Sequence, residues 1–159
     1  MVNEAISKAK TQAVEFFSSG FNCAESVSRA VLNYFGMDPE IICGAASGFG
    51  GGFGRYGSMC GAVSGGVIAI GTISNHQGCR NPKDRDKLSE IYQKTLQLVE
   101  AIEKEFESSK CQVLTGVDLR TQEGRKRFSE EKIRSNICEP VVARCTEKTI
   151  ELLRNNLST

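Results

Sequence analysis

The spacing of apolar residues constrains the fold of this chain more than any other feature. Apolar side chains recur every three or four residues through most of the sequence, and no segment shows the clear apolar–polar alternation of a half-buried strand. Helix starts are signalled by Asn22 with Glu25, by Asp38 before Pro39, and by Asn81 before a second proline. We therefore predict one all-α domain over residues 1–159, a compact bundle of six or seven helices.

The predicted helices follow from the spacing of apolar residues and from the capping residues. They cover approximately residues 5–20, 22–36, 38–46, 58–73, 81–107, 121–132 and 140–153. The longest carries an apolar stripe that we expect to face the core, consisting of Leu88, Ile91, Tyr92, Leu96, Val99, Ile102 and Phe106. The basic run Arg125, Lys126 and Arg127 is soon followed by acidic residues, and we interpret it as a solvated face.

Charge and hydropathy exclude several classes of function. The formal net charge is +1, and no basic cluster is interleaved with aromatic residues, so we expect no nucleic-acid partner. The most apolar run, residues 65–73, is about half the length that crosses a bilayer. The N-terminal segment has mixed charge and lacks the apolar core of a secretion signal. We predict a soluble, cytoplasmic protein without membrane contact. Its oligomeric state is open, a homodimer being the commonest symmetric assembly.

A glycine-rich stretch, GFGGGFGRYGSMCGAVSGG at residues 48–66, contains nine glycines around Cys60. Gly52, Gly54 and Gly57 match G-x-G-x-x-G, but the buried strand before it and the acidic residue about 20 positions later are missing. A P-loop lysine is missing too. A flexible linker would be polar, whereas this stretch contains aromatic residues and leads into an apolar helix. The pattern indicates a tightly packed loop with several residues at positive φ.

Seven cysteines are the outlier in composition. An odd number in a chain predicted to be cytosolic favours metal or redox chemistry over a disulfide framework, although a single free cysteine is often a small core residue. Four of them lie at predicted helix starts, where N–H groups and the helix dipole lower a thiol pKa and favour thiolate. These are Cys23, Cys60, Cys111 and Cys138.

The other three cysteines have less distinctive positions. Cys43 and Cys145 lie inside predicted helices, where core packing is the simpler interpretation. Cys79 lies in a loop near His76, the one histidine, so a Cys/His metal site and a Cys–His nucleophile pair are both open there. No C-x-x-C occurs, which leaves a zinc ribbon and a thioredoxin-type dithiol without support. Any metal or redox site must combine cysteines that are distant in sequence.

Several of these motifs together resemble the family named after its own pattern, C_GCAxxG_C_C, which is described as redox-active. The resemblance spans FNCAESV, the glycine-rich stretch, CQVLTGVDLRTQEGR and ICEPVVARCTEKTIELL, and it places the signature cysteines on Cys23, Cys60, Cys111 and Cys138. The central motif here reads CGAVSG, one swap away from the family label. Some relatives resemble the N-terminal part of split-Soret cytochromes, which implies an all-α fold able to bind redox cofactors. The haem attachment motif C-x-x-C-H is absent from this sequence, so covalent haem does not carry over.

Two redox chemistries fit the four cysteines. Their thiolates could together hold an iron–sulfur cluster, [2Fe–2S] being our first expectation, with Gly57 and Gly61 letting backbone N–H groups approach the sulfurs. Pairs of thiols could instead cycle between dithiol and disulfide, with Cys60 or Cys23 attacking. Two further alternatives are a non-redox binding module with structural zinc on the same cysteines and a helical domain whose cysteines only pack. The redox partner protein is unknown, and whether the protein is an enzyme is open.

Overall fold

The described part of the chain is helical almost throughout, as the apolar spacing predicts. A computed structural model describes residues 1–42 and 44–155. The α-helices are α1 Val2–Ser18, α2 Cys23–Tyr34, α3 Gly50–Phe53, α4 Gly61–Ser74, α5 Arg85–Phe106, α6 Cys111–Thr115, α7 Gln122–Glu130 and α8 Glu139–Arg154. Short 3₁₀ turns cover Pro39–Ile42 and Ser47–Phe49, and a π-helical turn covers Arg134–Cys138. Within 1–42 and 44–155 there is no strand, which confirms the all-α prediction.

Helix α4 lies at the centre of the bundle. It packs against α2, α5 and α8, while α1 covers α2 and α8 on the other side. Most of its first ten residues are buried, because small side chains let neighbouring helices approach it from several directions. The buried residues are Gly61, Ala62, Val63, Ser64, Gly65, Gly66, Ala69 and Ile70.

The closest helix contact brings the backbones of α2 and α4 together. A Cβ atom at Gly65 would meet the carbonyl oxygen of Ala24 and would lie 2.9 Å from the Cα atom of Ala24. A Cβ atom at Gly61 would collide with the sulfur of Cys23 and the carbonyl oxygen of Phe49. Glycine is therefore required at both positions for α4 to lie this close to the start of α2.

The predicted core stripe of α5 is wrong at two positions. Tyr92 is 65% exposed and Leu96 is 56% exposed, whereas Leu98 and Ile102 are fully buried. The aliphatic part of Lys94 shares the buried face, and its Nζ atom donates to the carboxylate of Glu90 at 2.6 Å. Because α5 packs mainly against α4 and α8, it buries a narrower stripe than its sequence offers. Across the described helices, none combines the length and apolar composition that a membrane span requires.

Two predicted helices differ in the structure. Asp38 caps the start of the predicted helix over 38–46, because its carboxylate accepts from the backbone N–H of Glu40, but only the 3₁₀ turn forms and Gly44 has φ +87°. Helix α4 begins at Gly61 with Cys60 as its N-cap, so Ser58 does not cap it. The capping pair forms as predicted. The side-chain oxygen of Asn22 accepts from the backbone N–H of Glu25 at 3.0 Å, and the carboxylate of Glu25 accepts from the backbone N–H of Asn22 at 2.8 Å.

A pair of glycine substitutions in α4 tests whether this packing determines stability. Gly65→Ala should destabilise the protein by about 1–3 kcal/mol, because α2 must move away from the added methyl group. Gly71→Ala is the matched control: no atom lies within 4 Å of its Cβ position, and alanine favours a helix by about 1 kcal/mol. Urea unfolding followed by circular dichroism measures both. Equal effects of the two substitutions would contradict the close-packing account.

Candidate functional site

The glycine-rich stretch forms a left-handed loop before α4. Positive φ angles occur at most residues between 50 and 57, which explains why glycine is so frequent there. These residues are Gly51, Gly52, Phe53, Gly54, Arg55 and Gly57. Gly52 also approaches its neighbours closely, because a Cβ atom there would lie 2.7 Å from the carbonyl oxygen of Ser58 and 2.8 Å from the Cβ atom of Cys111. The loop is therefore packed directly against the cysteine at the start of α6.

Backbone pairing holds Cys60 and Cys111 in adjacent chain segments. The N–H of Cys60 donates to the carbonyl of Ser109 at 2.7 Å, and the N–H of Cys111 donates to the carbonyl of Ser58 at 2.7 Å. Between them, Met59 and Lys110 form an isolated antiparallel bridge. This short ladder places the start of α4 beside the start of α6, although 51 positions separate the two cysteines in sequence.

Cys23 occupies the first position of α2, directly after Asn22 of the capping pair. The side-chain amide nitrogen of Asn22 donates to the backbone carbonyl of Ser47 at 2.9 Å, and the hydroxyl of Ser47 donates to the carboxylate of Glu25 at 2.6 Å. These bonds tie the start of α2 to the segment that precedes the glycine loop. Cys138 approaches from the other end of the chain, as the last residue of the π-helical turn and the N-cap of α8.

All four predicted site cysteines line one cavity. Its volume is about 690 Å³, and it reaches the surface between exposed residues that include Gly54 and Arg125. The lining consists of the cysteines Cys23, Cys60, Cys111 and Cys138 together with polar, basic and apolar residues from the glycine loop, α6, α7 and the π-helical turn. The structure thus brings together the four cysteines that lie at helix starts.

Burial controls the protonation of these thiols. It raises the pKa of Cys23, although nearby backbone N–H groups of Gly51, Ala24 and Ala62 act in the opposite direction. Burial raises the pKa of Cys60 well above the usual value, and the neighbouring Cys23 raises it further. A thiolate is poorly solvated in such surroundings, and a second sulfur nearby adds repulsion between charges.

Burial and neighbouring sulfurs also raise the pKa values of Cys111 and Cys138. Burial, followed by the effect of Cys23, raises the pKa of Cys111 to about 12. Burial also raises the pKa of Cys138 to about 12, and the guanidinium of Arg134 opposes this change. The expectation that the helix starts lower these thiol pKa values is therefore wrong for the structure as it stands, because desolvation outweighs the helix dipole.

The sulfurs share the cavity without meeting at a single point. Over residues 1–42 and 44–155, no three His, Cys, Asp or Glu side chains come close enough together to hold one metal ion. The six cysteines of these ranges are all free thiols. Whether the four cavity cysteines act as redox-active thiols or as metal ligands stays a prediction.

Neither of the two glycines predicted to assist cofactor binding is among the residues that line the cavity. Gly61 lies against the sulfur of Cys23, and its lack of a side chain makes room for that sulfur. Gly57 is absent from the cavity lining and packs against Gln112, with 2.8 Å between its Cβ position and the Cβ atom of Gln112. The backbone groups close to the Cys23 sulfur come from neighbouring residues, Gly51 and Ala62 among them.

Of the other cysteines that the structure describes, neither Cys79 nor Cys145 lines the cavity. Cys145 is fully buried in the hydrophobic core, in agreement with the packing interpretation. Cys79 and His76 line a smaller surface pocket, and the ring Nδ1 atom of His76 lies 3.1 Å from the carbonyl oxygen of Ile73. In the part of the chain that the structure describes, no hydrogen bond joins Cys79 to His76. Cys43 lies outside the described residues.

Three arginines in the cavity lining were missed by the sequence analysis. Arg55, Arg125 and Arg134 all line it, whereas Arg125 had been assigned to a solvated face. All three residues of the basic run are exposed, as predicted, but Arg125 also lines the mouth of the cavity, whereas Arg127 pairs with Glu131 at 2.8 Å. The spacing of Arg125 and Phe128, three residues apart on α7, is the sequence signal that could have indicated a shared face.

Thiol reactivity provides a test of this arrangement. Cys79 is exposed and should react with iodoacetamide at pH 8, whereas Cys111 and Cys138 should react far more slowly because burial keeps them protonated. A raised pKa means that the thiolate fraction, and hence the rate, should increase about tenfold per pH unit between pH 8 and 10. The protein is first treated with a chelator, peptide mass spectrometry then measures the alkylation rate of each cysteine, and circular dichroism shows whether the protein stays folded. Equal rates for Cys79 and Cys111 at pH 8 would contradict the prediction.

Comparison with known proteins agrees with the geometry. The sequence model of the family described as "Putative redox-active protein (C_GCAxxG_C_C)" matches residues 21–152. No curated protein and no solved structure matches the chain. The matched range includes all four cavity cysteines and every helix from α2 to α7. The chain therefore belongs to the C_GCAxxG_C_C family.

Proposed function

We propose that this protein transfers electrons through an iron–sulfur cluster held by Cys23, Cys60, Cys111 and Cys138. The observation that carries the proposal is that these four thiols, which come from widely separated parts of the sequence, line one cavity. Cysteines that only pack would have no reason to share a cavity that reaches the surface. Cys145, which is fully buried within α8, does not line the cavity, whereas Cys60 belongs both to the core and to the cavity lining.

The donor set suits a cluster better than a single ion. Four thiolates are the usual ligands of both [2Fe–2S] and [4Fe–4S] clusters, and their negative charge and softness favour iron–sulfur chemistry. A structural zinc ion needs its sulfurs to meet around one point. Among residues 1–42 and 44–155, no three ligands do so. A cluster distributes its ligands over two or four iron atoms, so sulfurs spread around a cavity support it more than they support zinc.

The surrounding residues would stabilise thiolate sulfur. Backbone N–H groups of Gly51, Ala24 and Ala62 lie close to Cys23, and Arg134 lies close to Cys138. Such groups stabilise negative charge on sulfur and adjust the reduction potential of a bound cluster. The bound cluster would supply reversible one-electron transfer. Since the thiols are protonated before binding, ligation would release their protons.

A dithiol is the second candidate, and a specific observation favours the pair Cys23 and Cys60. The backbone N–H of Ala62 lies beside both sulfurs, which is not the case for Cys111 or Cys138. Oxidation of this pair would join the two sulfurs and release two electrons and two protons to an oxidant such as a disulfide or a redox partner protein. Cys111 and Cys138 would then have no direct part in the reaction.

Metal analysis of cysteine variants tests the proposal. Protein purified without oxygen should be brown and contain iron and acid-labile sulfide, and Ser substitution of any one of the four cavity cysteines should remove most of the colour. The matched controls are Cys79→Ser, on the surface, and Cys145→Ala, in the core, and both should keep the iron content of the unmodified protein. Visible absorption and electron paramagnetic resonance identify the cluster type.

The other outcomes distinguish the alternatives. Colourless protein with one zinc per chain would overturn the cluster in favour of a structural zinc site. Protein without metal, in which thiol titration finds two reversible thiols lost together in Cys23→Ser and Cys60→Ser, would establish the dithiol. Protein without metal or reversible thiols would leave the cysteines as packing residues and overturn both redox proposals.

A further inference from the structure

The cavity is large enough to hold a small organic molecule beside the four cysteines. Clefts that bind such ligands measure about 300–1,000 Å³, and this one is about 690 Å³. Several of its lining residues are exposed, among them Ser47, Gly54 and Arg55, so a ligand could enter from solvent. The volume and the access together make the cavity suitable for a small molecule next to the cysteines.

The charge of the lining is positive. Three arginines contribute to it, Arg55, Arg125 and Arg134, and the described lining residues include no carboxylate. Over residues 1–42 and 44–155, none of the three arginines forms an ion pair. Other surface arginines of the chain do, for example Arg127 with Glu131. The positive charge of the cavity is thus not balanced by the nearby protein.

Neutral groups position two of these arginines. The guanidinium of Arg134 lies 3.9 Å from the ring centre of Phe17 and donates to the carbonyl of the same residue. Arg125 donates to the carbonyls of Leu119 and Arg120 at 3.0 and 2.8 Å. These contacts orient the guanidinium groups without neutralising their charge, which leaves it available to an anion.

The rest of the lining is mainly apolar. Side chains from α1, α6, the loop between α6 and α7, α7, α8 and the π-helical turn contribute to it. They are Phe17, Leu114, Leu119, Phe128, Ile137 and Val141. Apolar walls with a few convergent charged groups are typical of sites for amphipathic small molecules.

We propose that this cavity binds an organic anion whose apolar body lies against these side chains and whose carboxylate, sulfonate or phosphate is bound by the arginines. The ligand would lie beside Cys23, Cys60, Cys111 and Cys138. The proposal goes beyond electron transfer, because it assigns a small-molecule site to the chain. It holds whether the thiols carry a cluster or form a disulfide.

Two naphthalene dyes that differ in charge test the proposal. The probe is 1-anilinonaphthalene-8-sulfonate, and its uncharged counterpart is N-phenyl-1-naphthylamine. Fluorescence titration of the protein as purified, corrected for its absorbance, should give saturable binding of one sulfonate dye per chain. In the double variant Arg55→Gln/Arg125→Gln, the affinity for this dye should fall at least about tenfold, because two charge-assisted contacts are lost. Binding of the uncharged dye should change little.

The control variant removes the same charge elsewhere. Arg85→Gln/Arg127→Gln lies outside the cavity lining and should bind both dyes as the unmodified protein does. Arg134 is kept in both variants because it packs on Phe17. An equal loss of the sulfonate dye in both double variants, an equal loss of both dyes in the cavity variant, or no saturable binding would overturn the proposal.

Iron and sulfide analysis of the same samples keeps the two proposals separate. Iron-containing protein that fails to bind the sulfonate dye would overturn the anion site alone. Protein without iron that binds the dye in an arginine-dependent manner would overturn the cluster alone. Circular dichroism of each variant shows whether a loss of binding comes from a loss of fold.

Discussion

The close contact between helices α2 and α4 is the constraint on which the rest of the structure depends. Gly61 and Gly65 lie directly against Cys23 and Ala24, where any side chain on α4 would collide with the backbone or sulfur of α2. The contact places Cys60, the N-cap of α4, next to Cys23 at the start of α2. Because α4 is buried on several sides, its position determines where the helices that pack against it lie.

Around this contact, short backbone links bring two further cysteines to the same place. The bridge between Met59 and Lys110 brings α6 and its Cys111 beside Cys60. The start of α8 brings Cys138 from a distant part of the sequence. Cys23, Cys60 and Cys111 thus lie where a helix begins, whereas Cys138 lies where the π-helical turn continues into α8. This geometry separates the four from Cys145, which lies within a helix and packs in the core.

Burial and charge act against each other at the site. Desolvation raises the pKa of all four cavity thiols, while backbone N–H groups and Arg134 favour thiolate. Buried thiols that crowd together repel one another once they are ionised, and a metal cation relieves that repulsion. The same positive groups make the cavity attractive to an organic anion. The proposed redox centre and the proposed anion site therefore both depend on the same lining residues.

Local patterns in the sequence are sufficient to predict the helices and to select Cys23, Cys60, Cys111 and Cys138 as the candidate site cysteines. The period of apolar residues, the capping pair Asn22 and Glu25, and the glycines at positive φ all act through neighbouring residues, so they can be read without the fold. The tertiary structure decided which face each helix buries. Tyr92 and Leu96 are exposed because α5 packs mainly against α4 and α8, and Arg125 lines the cavity together with Phe128 of the same helix, α7. It also decided that the four thiols share a cavity and that burial dominates their pKa values, since both depend on contacts between residues far apart in the chain.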